Sequence, residues 1–347
     1  RDRLLSLGSE MCIRDSFKSI QMNYYFLLFG VILISLFLII FWIYSEKNLN
    51  GKFNKQINYF SFPLAILGLY CVFRLNLDFG YILVSLTLAS LLFWVLGKIL
   101  KLNKLVKESK SFFFILGFIT IFRSFLYEPF QIPSESMIPG LEVGDFVLVN
   151  KFQYGFKNPI GNRTLIANKN PTNGDVIVFT PPHTSCSSEA EDSYPEGSFK
   201  AVTDRHLKTW KNLNRDCSNL GLKYVKRVIA SPGDSLEIKG KEIYVNQKKI
   251  FKENIESNLT ESFFLEKSNQ KEYLIRNSNV RELEFFQTWS IPEGYYFVVG
   301  DNRDNSLDSR SWGLVPEERI TGKAQVIWLH WPSYGSLPSF SRNKIIK

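Results

Sequence analysis

Histidine is scarce in this chain: His183, His206 and His330 are the three among 347 residues. The first two fall in a polar stretch and the third in a tryptophan-flanked apolar run, and no Gly-x-Ser-x-Gly elbow occurs. Hydrolysis by a Ser-His-Asp triad needs an imidazole beside the nucleophile, so this pattern speaks against it. Cysteine is also sparse, at four, and no Cys/His grouping has the spacing of a zinc site. No metal and no other cofactor is expected. Although the net charge is +9, no long basic run is interleaved with aromatics, which excludes nucleic acid as a partner. Two Ser-x-x-Lys matches, Ser268–Lys271 and Ser341–Lys344, lie in hydrophilic stretches without the companion motifs of penicillin-binding enzymes. An initiating Met is missing as well. The chain opens on Arg1, and residues 1–22 are read as a non-native or disordered N-terminus outside the fold.

What is abundant is apolar side chain, 45% of the chain, crowded into residues 23–127. Four segments stand out: Asn23–Tyr44, Tyr59–Phe73, Phe79–Leu96 and Ser111–Tyr127. A bilayer crossing needs roughly 20 apolar residues, so 23–127 reads as an anchor of about four transmembrane segments in the lipid bilayer. Tyr59–Phe73 is the weakest, being short and carrying Pro63 and Gly68; Ser111–Tyr127 is broken by Arg123, which is expected to snorkel to an interface. Lys47, Lys52 and Lys55 follow the first segment, and Lys98, Lys101, Lys104, Lys107 and Lys110, opposed by Glu108, lie between the third and fourth. Short lysine-rich loops stay cytoplasmic, so residues 128–347 are expected on the extracytoplasmic side. Cys186 and Cys217 both lie in that exported part, where a disulfide persists. A bridge would close a loop of about 30 residues and add about 3 kcal/mol in the chain-entropy picture; two free thiols are the alternative. Cys71, in an apolar segment, reads as a small buried hydrophobe.

From Phe146 onward short apolar alternations are divided by turn residues. Phe146–Asn150, Asp175–Phe179, Tyr224–Ala230, Leu236–Ile238, Glu242–Val245, Tyr295–Val299 and Ala324–Leu329 read as strands. Gly144-Asp145, Asn173-Gly174, Pro232-Gly233-Asp234 and Pro292-Glu293-Gly294 read as the turns between them. The fold class is therefore N-terminal transmembrane α-helices followed by a mainly-β domain, a folded antiparallel sheet or barrel. His183–Asn219 reads as a polar surface excursion, and residues 239–289 as a small β-subdomain inserted in the first.

Three segments carry chemistry. In Phe130–Pro139, Pro133 and Pro139 stiffen an extended stretch in which Ser134 and Ser136 project to one face. One hydroxyl can attack a carbonyl while the other holds the oxyanion. Lys226 stands at the centre of the apolar strand Tyr224–Ala230. Burial lowers a lysine pKa, and a neutral amine can take a serine proton. Gly300–Pro316 is dense in Asp, Asn, Arg and Ser, a loop suited to holding catalytic groups through hydrogen bonds. Its Asp301, Asp304 and Asp308 are spaced like a calcium loop, but the glycine and closing glutamate that such a loop requires are out of place.

In this order, and behind a membrane anchor, these segments resemble the boxes of bacterial signal peptidase I. The serine box is matched by Phe130–Leu141 and Gly144–Asn150, the next box by Gly174–Phe179, the lysine box by Tyr224–Asp234 and the last by Gly300–Pro316. The resemblance implies Ser136 as nucleophile and Lys226 as general base. It implies Ser134 in the oxyanion hole, Ser306 orienting the lysine amine, and Asp308 and Arg310 as supporting polar residues. Phe130, Ile132, Pro133 and Val225 are implied to meet the substrate, the apolar ones lining shallow pockets for small side chains. Implied too are a bacterial inner-membrane location, exported preproteins cut after Ala-x-Ala, and the protein export machinery as a further partner. Gly140 stands where the family usually has Thr, and Glu135 where Gly is common. The family's usual anchor has one to three spans, and no family disulfide carries over to Cys186 and Cys217. The alternative reading is a catalytically inactive membrane scaffold or binding protein of the same fold.

Overall fold

The computed structural model describes residues 2–49, 52–75, 79–157, 164–181, 222–280, 286–333 and 335–347. Cys186, Cys217, His183 and His206 lie outside these residues. The chain divides into two units, Arg1–Ile121 and Phe122–Lys347.

The first unit is four helices: α1 (Asp2–Asn48), α2 (Asn54–Arg74), α3 (Phe79–Ile99) and α4 (Asn103–Ile121). Residues 2–22 were expected to stay outside any element, yet they continue α1. They contain no proline and a single glycine, so nothing in them breaks the helix that the apolar segment propagates. Among the described residues three stretches are long and apolar enough to cross a bilayer: Asn23–Asn48, Gly80–Ile99 and Asn103–Leu126. The expected fourth, α2, is helical and is not among these three. Asn54, Lys55, Gln56 and Asn58 stand in its first turns, and Pro63 lies inside it. α3 and α4 pair through Thr87 Oγ1 and Thr120 Oγ1 at 2.9 Å and through Trp94 packed on Phe113 and Phe114. Phe26 and Phe118, on two of these three stretches, remain exposed, as on helices that face hydrocarbon rather than water. Cys71 is fully buried with a free thiol.

The second unit is built on an eight-stranded sheet. Its strands are β1 (Tyr127–Gln131), β2 (Asp145–Asn150), β5 (Val176–Phe179), β6 (Tyr224–Ala230), β14 (Tyr295–Val299), β15 (Val315–Pro316), β16 (Ile320–His330) and β17 (Lys344–Ile345). The order is β1-β2-β16-β5-β6-β14-β15, with β17 on β16, and every pairing is antiparallel. β3 (Gly155–Lys157) and β4 (Thr164–Ala167) form a separate hairpin. All seven sequence-read strands are present. Gly144, Gly174, Gly233 and Gly294, one in each expected turn, have φ of +90°, +87°, +84° and +76°, the left-handed region that glycine enters without a Cβ clash. Two apolar clusters fill the unit. One gathers Phe179, Trp289, Phe297 and Trp312; the other gathers Ile132, Met137, Val147, Val178 and Ile327.

The insertion begins one strand earlier than the sequence boundary at 239. β7 (Ser235–Lys239) pairs with β13 (Phe286–Ser290), so the chain closes on itself before returning to β14. β8 (Glu242–Val245) and β9 (Lys248–Lys249) extend that sheet. Between them and β13 lies a second sheet of β10 (Phe251–Ser257), β11 (Glu261–Ser268) and β12 (Lys271–Ser278). Its β11–β12 turn, Asn269-Gln270, has φ of 45° and 64°, the two-residue hairpin turn that matches strand twist. Ser268 and Lys271, one of the Ser-x-x-Lys matches, are simply the register pair that flanks this turn.

Candidate active site

Ser136 lies after β1 in a 3-10 turn, Glu135–Met137, and not in the extended stretch the sequence suggested. Burial decides this: Ile132 and Met137, 2% and 1% exposed, both plug into the apolar cluster, and the chain between them must bend. Ser134, still extended at φ −136° and ψ 160°, keeps its hydroxyl 3.3 Å from that of Ser136. Asn302 clamps the turn, its backbone N–H donating to Ser136 O at 3.1 Å and its Nδ2 to Glu135 O at 3.1 Å.

Lys226 lies on β6 opposite Ile177 of β5 and is 3% exposed. Its Nζ donates to Ser136 Oγ. Burial pushes the amine down to about 8, with Asp308 and Asp301 pulling it up and Arg310 pushing it further down. The next residue, Arg227, points to the opposite face. Its Nε and Nη2 bind Asp301 at 2.8 and 2.7 Å, and its guanidinium sits 3.7 Å from the centroid of the Tyr273 ring. Asp301 is thereby engaged by Arg227, and Lys226 makes no ion pair with a carboxylate among the described residues.

The Gly300–Pro316 loop supplies the rest. Asp308, fully buried, accepts from Gly300 N at 3.1 Å and from Arg310 Nε and Nη2 at 2.8 and 2.7 Å. Burial alone would raise its carboxyl, but Arg310 and Lys226 hold it below the usual carboxylate range. Asp308 also caps the short helix Ser309–Trp312. Asp301, Asp304 and Asp308 do not converge as in a calcium loop; they bind Arg227, Lys241 and Arg310 respectively. Ser306 differs from its implied role. Its hydroxyl is buried with no hydrogen-bond partner among the described residues, so it does not hold the amine here. It lies against Gly300, where a Cβ would run into Ser306 Oγ and Ser136 O.

Sequence reasoning missed the support behind this loop. Arg303, 6% exposed, forms a two-bond ion pair with Glu266 of β11, itself 2% exposed, at 2.6 and 2.5 Å. Arg303 O accepts from Arg310 Nη2 at 2.6 Å, and Arg303 N donates to Arg276 O of β12 at 2.9 Å. Ser278 N donates to Asp304 Oδ2 at 2.7 Å. The insertion is therefore bonded along the loop and not a detached subdomain. Arg227 and Arg303 had a signal, a charged residue inside each box; Glu266 had none. His330 is hydrogen-bonded to Asp145 at 2.7 Å, a carboxylate that also takes Arg342, so it serves the end of the sheet.

A cleft of about 450 Å³ opens at Ser136, walled by Phe130–Met137 on one side and Leu222–Lys226 on the other, with Asn305 and Leu307 at its rim. Phe130, Ile132, Pro133, Ser134, Val225 and Lys226 all line it; Asp308 and Arg310 stand behind Lys226 and do not.

The family described as signal peptidase, peptidase S26, matches residues 105–331. Signal peptidase I of Pseudomonas aeruginosa is 39% identical over 267 residues, covering 71% of this chain and 82% of that protein. The enzyme of that name from Pseudomonas fluorescens is 38% identical with the same coverage, and that of Haemophilus influenzae 36% identical over 68% of this chain and 75% of its own. The matched span contains the cleft, the lysine strand, the insertion and the polar loop together, and the chain belongs to the signal peptidase family, peptidase S26, as a serine endopeptidase.

Proposed function

We propose that this chain removes signal peptides from exported preproteins after Ala-x-Ala, with Ser136 as nucleophile and Lys226 as general base. The observation that carries the reading is the hydrogen bond from a buried, low-pKa Lys226 to Ser136 Oγ at the floor of an open cleft. A substrate strand lies between the two walls, bonded to the backbone near Phe130–Pro133. Neutral Lys226 takes the Ser136 proton while Oγ attacks the scissile carbonyl. The oxyanion is held by the Ser134 hydroxyl and the Ser136 backbone N–H, contacts worth about 3 kcal/mol each. The Lys226 ammonium returns its proton to the leaving amine, and an acyl ester remains on Ser136. The amine, neutral again, activates water to release it. The defining experiment incubates detergent-solubilised protein with a signal-peptide substrate and maps the cut by mass spectrometry.

The pH dependence follows from the same lysine. Only the neutral amine accepts a proton, so kcat/KM should rise about tenfold per pH unit below an apparent pKa near the amine's value of about 8, and level off above it. A rate that stays flat from mildly acidic to alkaline pH would remove Lys226 as the base.

The lysine cluster Lys98–Lys110 supports an extracytoplasmic catalytic unit in a multi-pass inner-membrane protein that meets preproteins as the export machinery delivers them. In intact cells Asn103→Cys should resist an impermeant thiol reagent and react once the membrane is permeabilised; strong labelling of intact cells refutes the orientation. Leu49→Cys in the same assay reports on α2. Protection means four crossings, and labelling means three.

A further inference from the structure

β14 joins β6 only from Arg227 onward, so the stretch before it forms a wall of the cleft opposite β1. Side chains alternate, so Lys223 and Val225 share one face of that wall, as Phe130 and Ile132 share one face of β1. Phe130, Ile132 and Val225 pack in a single apolar cluster, which aims the two faces at the same space. Ile132 and Val225 lie nearer Ser136. Phe130 and Lys223 come one alternation later, about 6.6 Å along each strand. A substrate strand between the walls repeats with the same period. Its side chain just before the cut meets Ile132 and Val225, and the third one before the cut meets Phe130 and Lys223.

The Lys223 ammonium lies 4.7 Å from the Phe130 ring centroid and 3.8 Å from Glu128 Oε1, with 27% of its side chain exposed. Glu128 also binds Arg123 at 2.7 Å and Lys151 at 3.1 Å. Burial works against its charge, but Lys223, Lys151 and Arg123 keep its carboxyl below the usual range, so it stays ionised and anchors Lys223. The cleft thus carries a cation held by Glu128 beside Phe130, while the carboxylate among its lining residues, Glu135, belongs to the turn at Ser136.

We propose that Lys223 sets the charge preference of the third-position pocket, admitting short acidic side chains there alongside Ala and rejecting Lys and Arg. The inference rests on the peptidase reading above. The test compares kcat/KM for signal-peptide substrates that differ only in Ala, Asp or Lys at that position, using wild type, Lys223→Met and Lys223→Glu. Wild type should cut the Asp substrate about tenfold faster than the Lys substrate, less so in high salt because the ammonium is part exposed. Lys223→Met should bring the ratio near one, and Lys223→Glu should reverse it. Should a second carboxylate beside Glu128 prevent folding of the Lys223→Glu variant, the methionine variant decides alone. An Asp-to-Lys ratio equal in wild type and Lys223→Met overturns the proposal. Failure of wild type to cut the Ala-x-Ala parent removes the peptidase reading itself, and this inference with it.

Discussion

Ser136→Ala and Lys226→Met should each lower kcat by about 10⁴-fold or more, with circular dichroism and thermal midpoint close to wild type. Ser136 Oγ bonds only Ser134 and Lys226 among the described residues, and Met137 and Asn302 hold its turn independently of the hydroxyl. Alanine there deletes the proposed nucleophile and leaves the turn in place. Methionine at 226 keeps the volume of the buried side chain while removing the amine, and no carboxylate is stranded, since Asp301 and Asp308 keep Arg227 and Arg310. The double variant should be no slower than either single one, because in the proposed mechanism the two groups act in one proton transfer. Near-wild-type turnover by either variant, measured on enzyme freed of contaminating peptidase, ends the dyad assignment.

Glu266→Ala should destabilise the catalytic unit by about 3–5 kcal/mol, because it strands the buried Arg303 guanidinium without its partner. Activity should fall with it. Arg303 carries the carbonyl that holds Arg310, and Arg310 holds the carboxylate behind Lys226. Replacing both partners together, Glu266→Leu with Arg303→Leu, should recover much of the stability, since an apolar pair of similar volume avoids desolvating two charges. Denaturant unfolding of the three proteins measures this. A loss under about 1 kcal/mol in Glu266→Ala would show that the pair behaves like an exposed one and that the insertion does not brace the loop.

The strands were legible because each is a short apolar run, and four of the turns between them hold a glycine in the left-handed region. Lys226 was legible as a candidate because a lone amine in Tyr224–Ala230 is exposed, paired like its neighbour Arg227, or functional. The turn at Ser136 was not. Alternation predicts an extended serine pair, and only the burial of Ile132 and Met137 in a cluster completed by β2, β5 and β16 bends it. α2 was legible as a helix but not as a crossing, because helix formation and bilayer crossing are separate properties; the Leu49→Cys labelling decides between three and four spans.

Adjacent residues on one strand mark the boundary most sharply. Sequence alone determined that Lys226 and Arg227 sit side by side in an apolar strand and, by alternation, face opposite sides. It could not say what each side offers. Only the tertiary structure decided that Arg227 meets Asp301 and Tyr273, while Lys226 meets Ser136 and no carboxylate directly. Those neighbours come from segments separated from β6 by 74, 46 and 90 positions. The pKa of a buried group depends on the solvent and charges around it, and the chain's local pattern specifies neither.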